Sequence, residues 1–256
     1  MQKLPISVTI LVKNAQSTFS ECLSALVDFD EVIVLDNGSD DGTLDIAKNF
    51  ANVKIYQSEF IGFGALKNLA ISYATHEWIL SVDSDEILES STLEQIRLAL
   101  SSMQPHHIYA MPRKNLYNGE WIKACGWYPD YVWRLFNKTF TRFNDNIIHE
   151  SVILPKNAKL IKLTSGLKHY AAPNMESIIA KMNRYTSYSA EQKHRHKKKA
   201  SMLGAIARFW LTFFKDYFLR GGIKYGYKGF IIALLNASGA FFRYAKLYEL
   251  DKQDKK

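Results

Sequence analysis

Trp78-Ile79-Leu80-Ser81-Val82-Asp83-Ser84-Asp85-Glu86 runs five residues, mostly apolar and strand-forming, straight into three carboxylates. That pattern predicts a buried parallel strand whose carboxyl end opens into a polar crevice. Ligands of open α/β sheets bind at that end. Two aspartates one residue apart can offer hard oxygen donors to Mg2+ or Mn2+, and a metal so held can neutralise a diphosphate. The expectation is a metal-assisted nucleotide-sugar site. With thirteen aspartates in 256 residues, an Asp-x-Asp pair carries little weight alone. Asp28-Phe29-Asp30 repeats the spacing ahead of a strand at 31–35, at the edge opposite to ligand binding, and reads as a solvated turn. Position at a strand exit is what sets Asp83 and Asp85 apart.

Upstream, 6–12 reads as a strand, and Thr18-Phe19-Ser20-Glu21 as a capping box opening a helix to about residue 27. A second strand at 31–35 leads through Asp36-Asn37-Gly38-Ser39-Asp40-Asp41-Gly42-Thr43 into a helix to about residue 50. A third strand at 53–57, a loop with Gly62 and Gly64, and a helix over about 65–74 follow. Strands alternating with ten-residue helices imply right-handed βαβ units, so 1–102 is expected to be a Rossmann-like nucleotide-binding half. A second capping box, Ser91-Thr92-Leu93-Glu94, opens a helix ending near residue 100. Beyond it the texture changes. Residues 108–113 and 121–123 flank Asn118-Gly119, a hairpin signal, and 131–137, 151–154 and 160–163 read as strands. A mixed, acceptor-side half over 103–172 is therefore expected. Ile178, Ile179, Met182, Tyr185 and Tyr188 recur at helical spacing in an amphipathic helix over 175–199. Helices at 202–219 and 229–249, around Gly221-Gly222, complete a helical region at 173–256.

A chain of 256 residues that is 47% hydrophobic can bury a sizeable core. Cys22 and Cys125 lie far apart without metal-ligand spacing, which excludes a disulfide framework or zinc site and fits a reducing compartment. The start enters a strand within a few residues without a basic region followed by a long apolar run, so no secretory signal is expected, and the expected location is the cytoplasm. Net charge is +8, with fifteen Lys/Arg against four Asp/Glu over 193–256 and eighteen against twenty-one before that. The basic excess is confined to the last quarter and points to a polyanionic partner: nucleic acid, an anionic membrane surface or a phosphorylated glycolipid. Arg208, Lys215 and Asp216 interrupt one C-terminal helix, and the uncharged run 229–242 is short of the roughly twenty residues that span a bilayer. Phe209, Trp210, Phe213, Phe214, Tyr217 and Phe218, flanked by Arg and Lys, suit a helix lying among headgroups. Packing on the catalytic domain or a second subunit is the alternative. The basic run 193–199 would meet anionic lipid or a phosphorylated core.

The succession of 6–14, Leu35 to Thr43, Gly62-Phe63-Gly64 with Lys67-Asn68, and Val82 to Glu86 resembles glycosyltransferase family 2. More narrowly, Gly126-Trp127-Tyr128-Pro129-Asp130, Trp133-Arg134-Leu135-Phe136 and His149-Glu150 look like the branch of bacterial lipopolysaccharide core glucosyltransferases. His169-Tyr170, Asn183-Arg184-Tyr185 and Tyr244-Ala245-Lys246-Leu247 extend the likeness over nearly the whole chain. The resemblance implies a GT-A fold, a nucleotide-diphosphate sugar donor such as UDP-glucose, a divalent metal and inversion at the anomeric carbon. It also implies an acceptor, a heptose, in the inner core of lipopolysaccharide or lipooligosaccharide, at the cytoplasmic face of the bacterial inner membrane. Leu11-Val12-Lys13-Asn14 departs from the Pro-x-Tyr-Asn of many members.

In that frame Lys13, Asn14, Asp36, Phe63, Gly64, Lys67 and Asp83 are expected around the nucleotide. Asp36 would accept from a uracil imide or ribose hydroxyl, and Lys67 would meet a phosphate. The likeness puts Asp83 nearer the ribose and has Asp85, beside it, hold the metal. Inverting transfer needs a carboxylate base opposite the leaving group, with Glu150 favoured over Asp130. His149 would orient it, Trp127 and Tyr128 would stack on acceptor sugars, and Arg134 would grip a phosphate or carboxylate. Glu86 is given no direct role. A sugar-nucleotide nucleotidyltransferase is the runner-up, yet Lys13-Asn14-Ala15-Gln16 supplies no phosphate loop after the first strand. A nucleic-acid-binding protein is the third reading, disfavoured by charge confined to the tail.

Overall fold

Residues 3–147, 149–172 and 174–254 are described by a computed structural model. The chain gathers into two units, one holding the residues up to Arg113 with Asp130–Tyr170, the other Lys114–Pro129 with everything from Ala171 onward.

In the first unit Leu4–Val12 (β1), Phe29–Asp36 (β2), Val53–Gln57 (β3) and Trp78–Asp83 (β4) form a parallel sheet in the order β3-β2-β1-β4. Both faces are covered, which is why these strands read as continuous Val, Ile and Leu. Val32, Val34, Leu80 and Val82 pack with Phe19 and Leu23 of Gln16–Ser24 (α1). Ile33, Leu35 and Ile79 pack on the other side with Leu66 and Ala70 of Phe63–Ser72 (α3). The short helix Thr43–Ala47 (α2) follows β2 and stops well before residue 50.

Beyond β4 the sheet turns antiparallel, as the expected GT-A fold requires. Glu86–Leu88 (β5), Ser90–Ala99 (α4), His107–Tyr117 (β6), Asp130–Asn137 (β8), Lys159–Lys162 (β9) and Leu167–Ala172 (β10) continue it as β4-β8-β6-β10-β5, with β9 parallel to β6. β5 and β10 were not legible in advance. Residues 151–154 form no strand, only a bridge between Phe143 and Val152. Neither capping box starts its helix: Ala15 and Glu89 occupy the N-cap positions. Thr18, the capping residue of the first box, donates its hydroxyl to the distant Ser84 carbonyl instead (3.0 Å), a tertiary acceptor displacing the local cap. Ser91 of the second box lies inside α4, which begins one residue before it.

The second unit begins at the expected hairpin, where Asn118 and Gly119 take φ of 47° and 76° before Glu120–Trp121 (β7). Met175–Arg195 (α5), Met202–Phe214 (α6), a π turn at Lys215–Leu219 and Gly226–Gln253 (α7) complete it. Ile122, Ala124 and Cys125 share a core with Ile232 and Ala233 of α7. A Cβ at Gly229 would fall on the Gly222 carbonyl, so this helix starts where only glycine fits. By length and composition Gly222–Gln253 is apolar enough to cross a membrane, a longer stretch than the sequence run suggested. Its Ile232, Ala233, Ala237, Gly239 and Leu247 are nevertheless buried within the unit, so composition alone does not assign it to a bilayer.

Candidate functional site

The rim formed by the carboxyl ends of β1, β2 and β4 carries the first group. Val12 lies opposite Asp36 and Leu11 opposite Asp83, so one strand separates the two aspartates. At sheet spacing their backbones are about 10 Å apart. Asp36 is 1% exposed, and its carboxylate accepts from the backbone amides of Gly38 (3.2 Å) and Ser39 (3.1 Å). At the start of α2, whose N-cap position is Gly42, Asp41 Oδ1 accepts from the Thr43 amide and hydroxyl. Asn14, at φ 54°, ties the β1 exit to this loop by donating from its amide to Ser39 Oγ and accepting from the Asp40 amide. A cleft of 620 Å³ opens here, lined by Lys13, Asp36, Gly38, Gln57, Glu59 and Phe60 among others. The sequence reading missed Phe60, half exposed and set edge-on to Phe63 at 5.1 Å.

Lys67 is the second centre. It is 4% exposed on α3, with Nζ 2.8 Å from Asp83 Oδ1 and 3.3 Å from Glu150 Oε1. Its neighbour explains how Glu150 reaches it: the Asn68 amide exchanges two hydrogen bonds with the Phe143 backbone, each 3.0 Å. Further along, Asn144 accepts and donates across to Ser151, folding residue 150 back toward the helix. Phe63 and Gly64 donate their amides to the carbonyls of Ile147 and Asn146, and a Cβ at Gly64 would fall on the Asn144 carbonyl. Gly64 is thus required by the loop that carries Glu150.

Arg134 is also buried, at 5% exposure. Its Nη2 reaches Asp83 Oδ2 at 2.5 Å and Glu86 Oε1 at 2.7 Å. Glu86, 0% exposed, accepts from the Asp83 amide as well and lies 3.4 Å from Arg113 Nη1. Arg113 in turn holds Asp130 at 2.7 Å. The result is one alternating chain of charge: Asp130, Arg113, Glu86, Arg134, Asp83, Lys67, Glu150. Burial alone would raise the Asp83 carboxyl; the Arg134 guanidinium and the Lys67 ammonium outweigh it and hold Asp83 well below the ordinary carboxylate range. Burial opposes the charge on Arg134 too, but Asp83 and Glu86 push its affinity for the proton up. Asp83, Arg113, Arg134, Phe143, Glu150 and Ser151 line a cleft of 260 Å³ with four neighbours.

Arg134, expected to grip a ligand, is therefore taken up inside the protein by two carboxylates. Glu86, given no direct role in the sequence reading, begins β5 and anchors both arginines. Asp85 stands apart from that network, 41% exposed at its side chain, with Oδ2 3.4 Å from Nε2 of His169, which the antiparallel register of β10 sets opposite Glu86. Among the described residues no three His, Cys, Asp or Glu side chains converge as a metal cluster. Asp85 and His169 bring together one carboxylate oxygen and one imidazole nitrogen, two donors of the kinds that ligate divalent cations. His149 takes φ 61° immediately before Glu150, and its carbonyl accepts from Asn146 at 3.5 Å. Trp127 and Tyr128 belong to the second unit, where Trp127 packs with the Ile122–Ile232 core and Tyr128 meets Trp121 edge-on at 5.1 Å. Asp28 and Asp30 face solvent, paired with Arg97 and His76.

A model of the family described as Glycosyl transferase family 2 matches residues 7–153, which include every member of this charge chain. An uncharacterized glycosyltransferase of Rickettsia typhi is 30% identical over 96% of this chain and 87% of its own length. The lipopolysaccharide core biosynthesis glycosyltransferase LpsC of Rhizobium meliloti is 24% identical over 96% and 93%. Among solved structures, TarS 1–349 of S. aureus in complex with UDP aligns over 99% of this chain and 92% of that one, at 18% identity and a TM-score of 0.48.

Proposed function

The chain belongs to glycosyl transferase family 2, and on that premise we propose that it moves a hexose, glucose from UDP-glucose, onto a heptose of a lipopolysaccharide or lipooligosaccharide inner core with inversion. The single observation that carries the reading is Lys67, which joins Asp83 at the sheet rim to Glu150, two carboxylates that line one cleft. The 620 Å³ cleft beside Asp36 receives the nucleoside, with the Phe60 ring as a stacking face and Lys13 as a phosphate contact.

Glu150 is the base. It takes the proton from the acceptor hydroxyl as that oxygen attacks the anomeric carbon and the bond to the diphosphate breaks. Asp130 is the weaker candidate, because Arg113 already holds it. A Mg2+ or Mn2+ ion, gripped by Asp85 with His169, would supply Lewis-acid neutralisation of the departing diphosphate. Asp83, committed to Lys67 and Arg134, serves this arrangement as a structural carboxylate and ribose contact.

Attachment at the cytoplasmic face of an inner membrane is supported by α6 and the turn after it. Leu203, Leu211 and Leu219 are 79%, 71% and 84% exposed, and Trp210, Phe214 and Phe218 are each about half exposed. So large an exposed apolar surface, flanked by Lys197, Lys198, Lys199, Lys215 and Arg220, matches an anionic interface. Incubation with a panel of nucleotide sugars and truncated lipopolysaccharide cores, read by mass, tests the assignment. One hexose added to a heptose-terminated core, from UDP-glucose, is the expected product; transfer from no nucleotide sugar, with thermal stabilisation by DNA or RNA instead, would reject it.

A further inference from the structure

The second unit contains a pocket of 330 Å³ between α5 and α7, within the range of small-ligand cavities. Lys181 on α5 and Arg243 on α7 both line it. Both are exposed, and neither makes an ion pair or hydrogen bond among the described residues. By contrast, Lys246 of α7 donates to Asn183, Thr186 and Ser187, and Arg208 of α6 lies over the Tyr244 ring. Two uncommitted cations facing one cavity are an anion site in waiting.

Its walls narrow the ligand further. Trp127 and Tyr185 supply aromatic faces, and Ile178, Met182 and Leu235 supply apolar ones. Asn236 fixes the polar chemistry: its Nδ2 donates to Asp216 Oδ2 at 2.8 Å and to the Cys125 carbonyl at 3.2 Å. Two acceptors on one nitrogen set the orientation of the amide, leaving Oδ1 as the atom that can accept. Gly239 keeps the α7 wall low, with Met182 the nearest group that a Cβ there would meet, at 3.5 Å. Cations for an anionic group, an acceptor for a hydroxyl and flat rings for a sugar face occur together.

We propose that this pocket binds an anionic saccharide, a sugar ring bearing phosphate, through Lys181, Arg243, Asn236 and Trp127. The inference deepens the acceptor reading given above and rests on it for the source of the sugar. The same phosphate chemistry is offered by lipid headgroups, so the two sources are tested as separate arms.

The probes are a phosphorylated core oligosaccharide, the same oligosaccharide after phosphatase treatment, and phosphatidylglycerol vesicles. Binding to the full chain is followed by calorimetry, with transfer to the oligosaccharide measured alongside. The wild type should bind the phosphorylated oligosaccharide at least tenfold more tightly than the treated one. Lys181→Gln with Arg243→Gln, both on exposed side chains, should abolish that preference and raise the acceptor KM at least tenfold. Gly239→Leu, which fills the cavity without touching charge, should weaken binding of both forms. Equal affinity of the double variant and the wild type for the phosphorylated form overturns the pocket, as does an effect of the double variant confined to vesicles. A wild type that binds the oligosaccharide through these residues and transfers nothing to it leaves the pocket standing and overturns the proposed function.

Discussion

Lys67 and Asp83 form an ion pair of 2.8 Å in which the lysine is 4% exposed, and the same ammonium lies 3.3 Å from Glu150. A buried cation between two carboxylates cannot be removed without leaving two like charges, on Asp83 and Glu150, facing each other. Losing one partner of such a network costs about 3–5 kcal/mol. Lys67→Met is therefore expected to lower Tm by roughly 10 °C and to abolish transfer, measured by thermal denaturation and a sugar-transfer assay. A variant that kept its Tm would mean that the pair is not part of the folded state's energetics.

Glu150→Gln keeps shape and loses the proton acceptor. Transfer should fall by a factor of about 10³, within the usual range for general-base removal, while UDP binding persists. Asp130→Asn should reduce activity far less, because Arg113 already occupies that carboxylate. The opposite ranking in a kcat comparison would move the base to Asp130.

Asp85→Ala and His169→Ala should each weaken the apparent affinity for Mn2+ by about 10–100-fold, read as the Mn2+ concentration that half-activates transfer. Direct Mn2+ binding by calorimetry gives a second readout that does not depend on turnover. If only Asp83→Ala changed the Mn2+ requirement, the ligand assignment would be wrong.

Glu31 supplies a pH test remote from the site. Burial favours its neutral form, but Lys54, the Ser7 hydroxyl and the Thr75 amide and hydroxyl prevail and lower its pKa to about 2. A carboxyl depressed on folding stabilises the native state fully above its unfolded pKa of about 4.3, and that contribution is lost as pH falls toward 2. Its size is on the order of 3 kcal/mol. Denaturant unfolding of Glu31→Gln between pH 5 and 2.5 should show a shallower loss of stability than the wild type; parallel curves would assign the acid sensitivity elsewhere.

Leu211→Glu with Trp210→Glu places charge on the most exposed apolar surface of α6. Co-sedimentation with phosphatidylglycerol vesicles should drop at least tenfold with no change in Tm. Retained sedimentation would shift attachment to another surface.

How much of this was legible depended on range in the chain. The β4 exit, the hairpin at Asn118-Gly119 and the four parallel strands follow from patterns within ten residues, where apolar periodicity and turn chemistry act directly. Both capping boxes misled: Thr18 found an acceptor 66 residues away, and Ser91 lies inside a helix that already begins at Ser90. The pairing of Glu86 with Arg134 was likewise hidden by distance in the chain: a carboxylate after an Asp-x-Asp and an arginine in a strand show nothing locally of the 2.7 Å pair they make across 48 residues. His169 entered only as part of the family likeness, with no role attached, since β10 and its register against β5 arise only when the sheet closes.

The amino-acid order by itself settled that parallel strands carry acidic side chains out to one rim, because burial on two faces demands unbroken apolar runs and a polar exit ends them. Which of those side chains stay available was decided by the tertiary fold. The side chains of Asp83 and Asp85 are similarly exposed, 35% and 41%, but Asp83 is paired with both Lys67 and Arg134, whereas Asp85 meets the His169 imidazole. Two residues with the same chemistry and nearly the same address were given different work by the charges that packing brought to each.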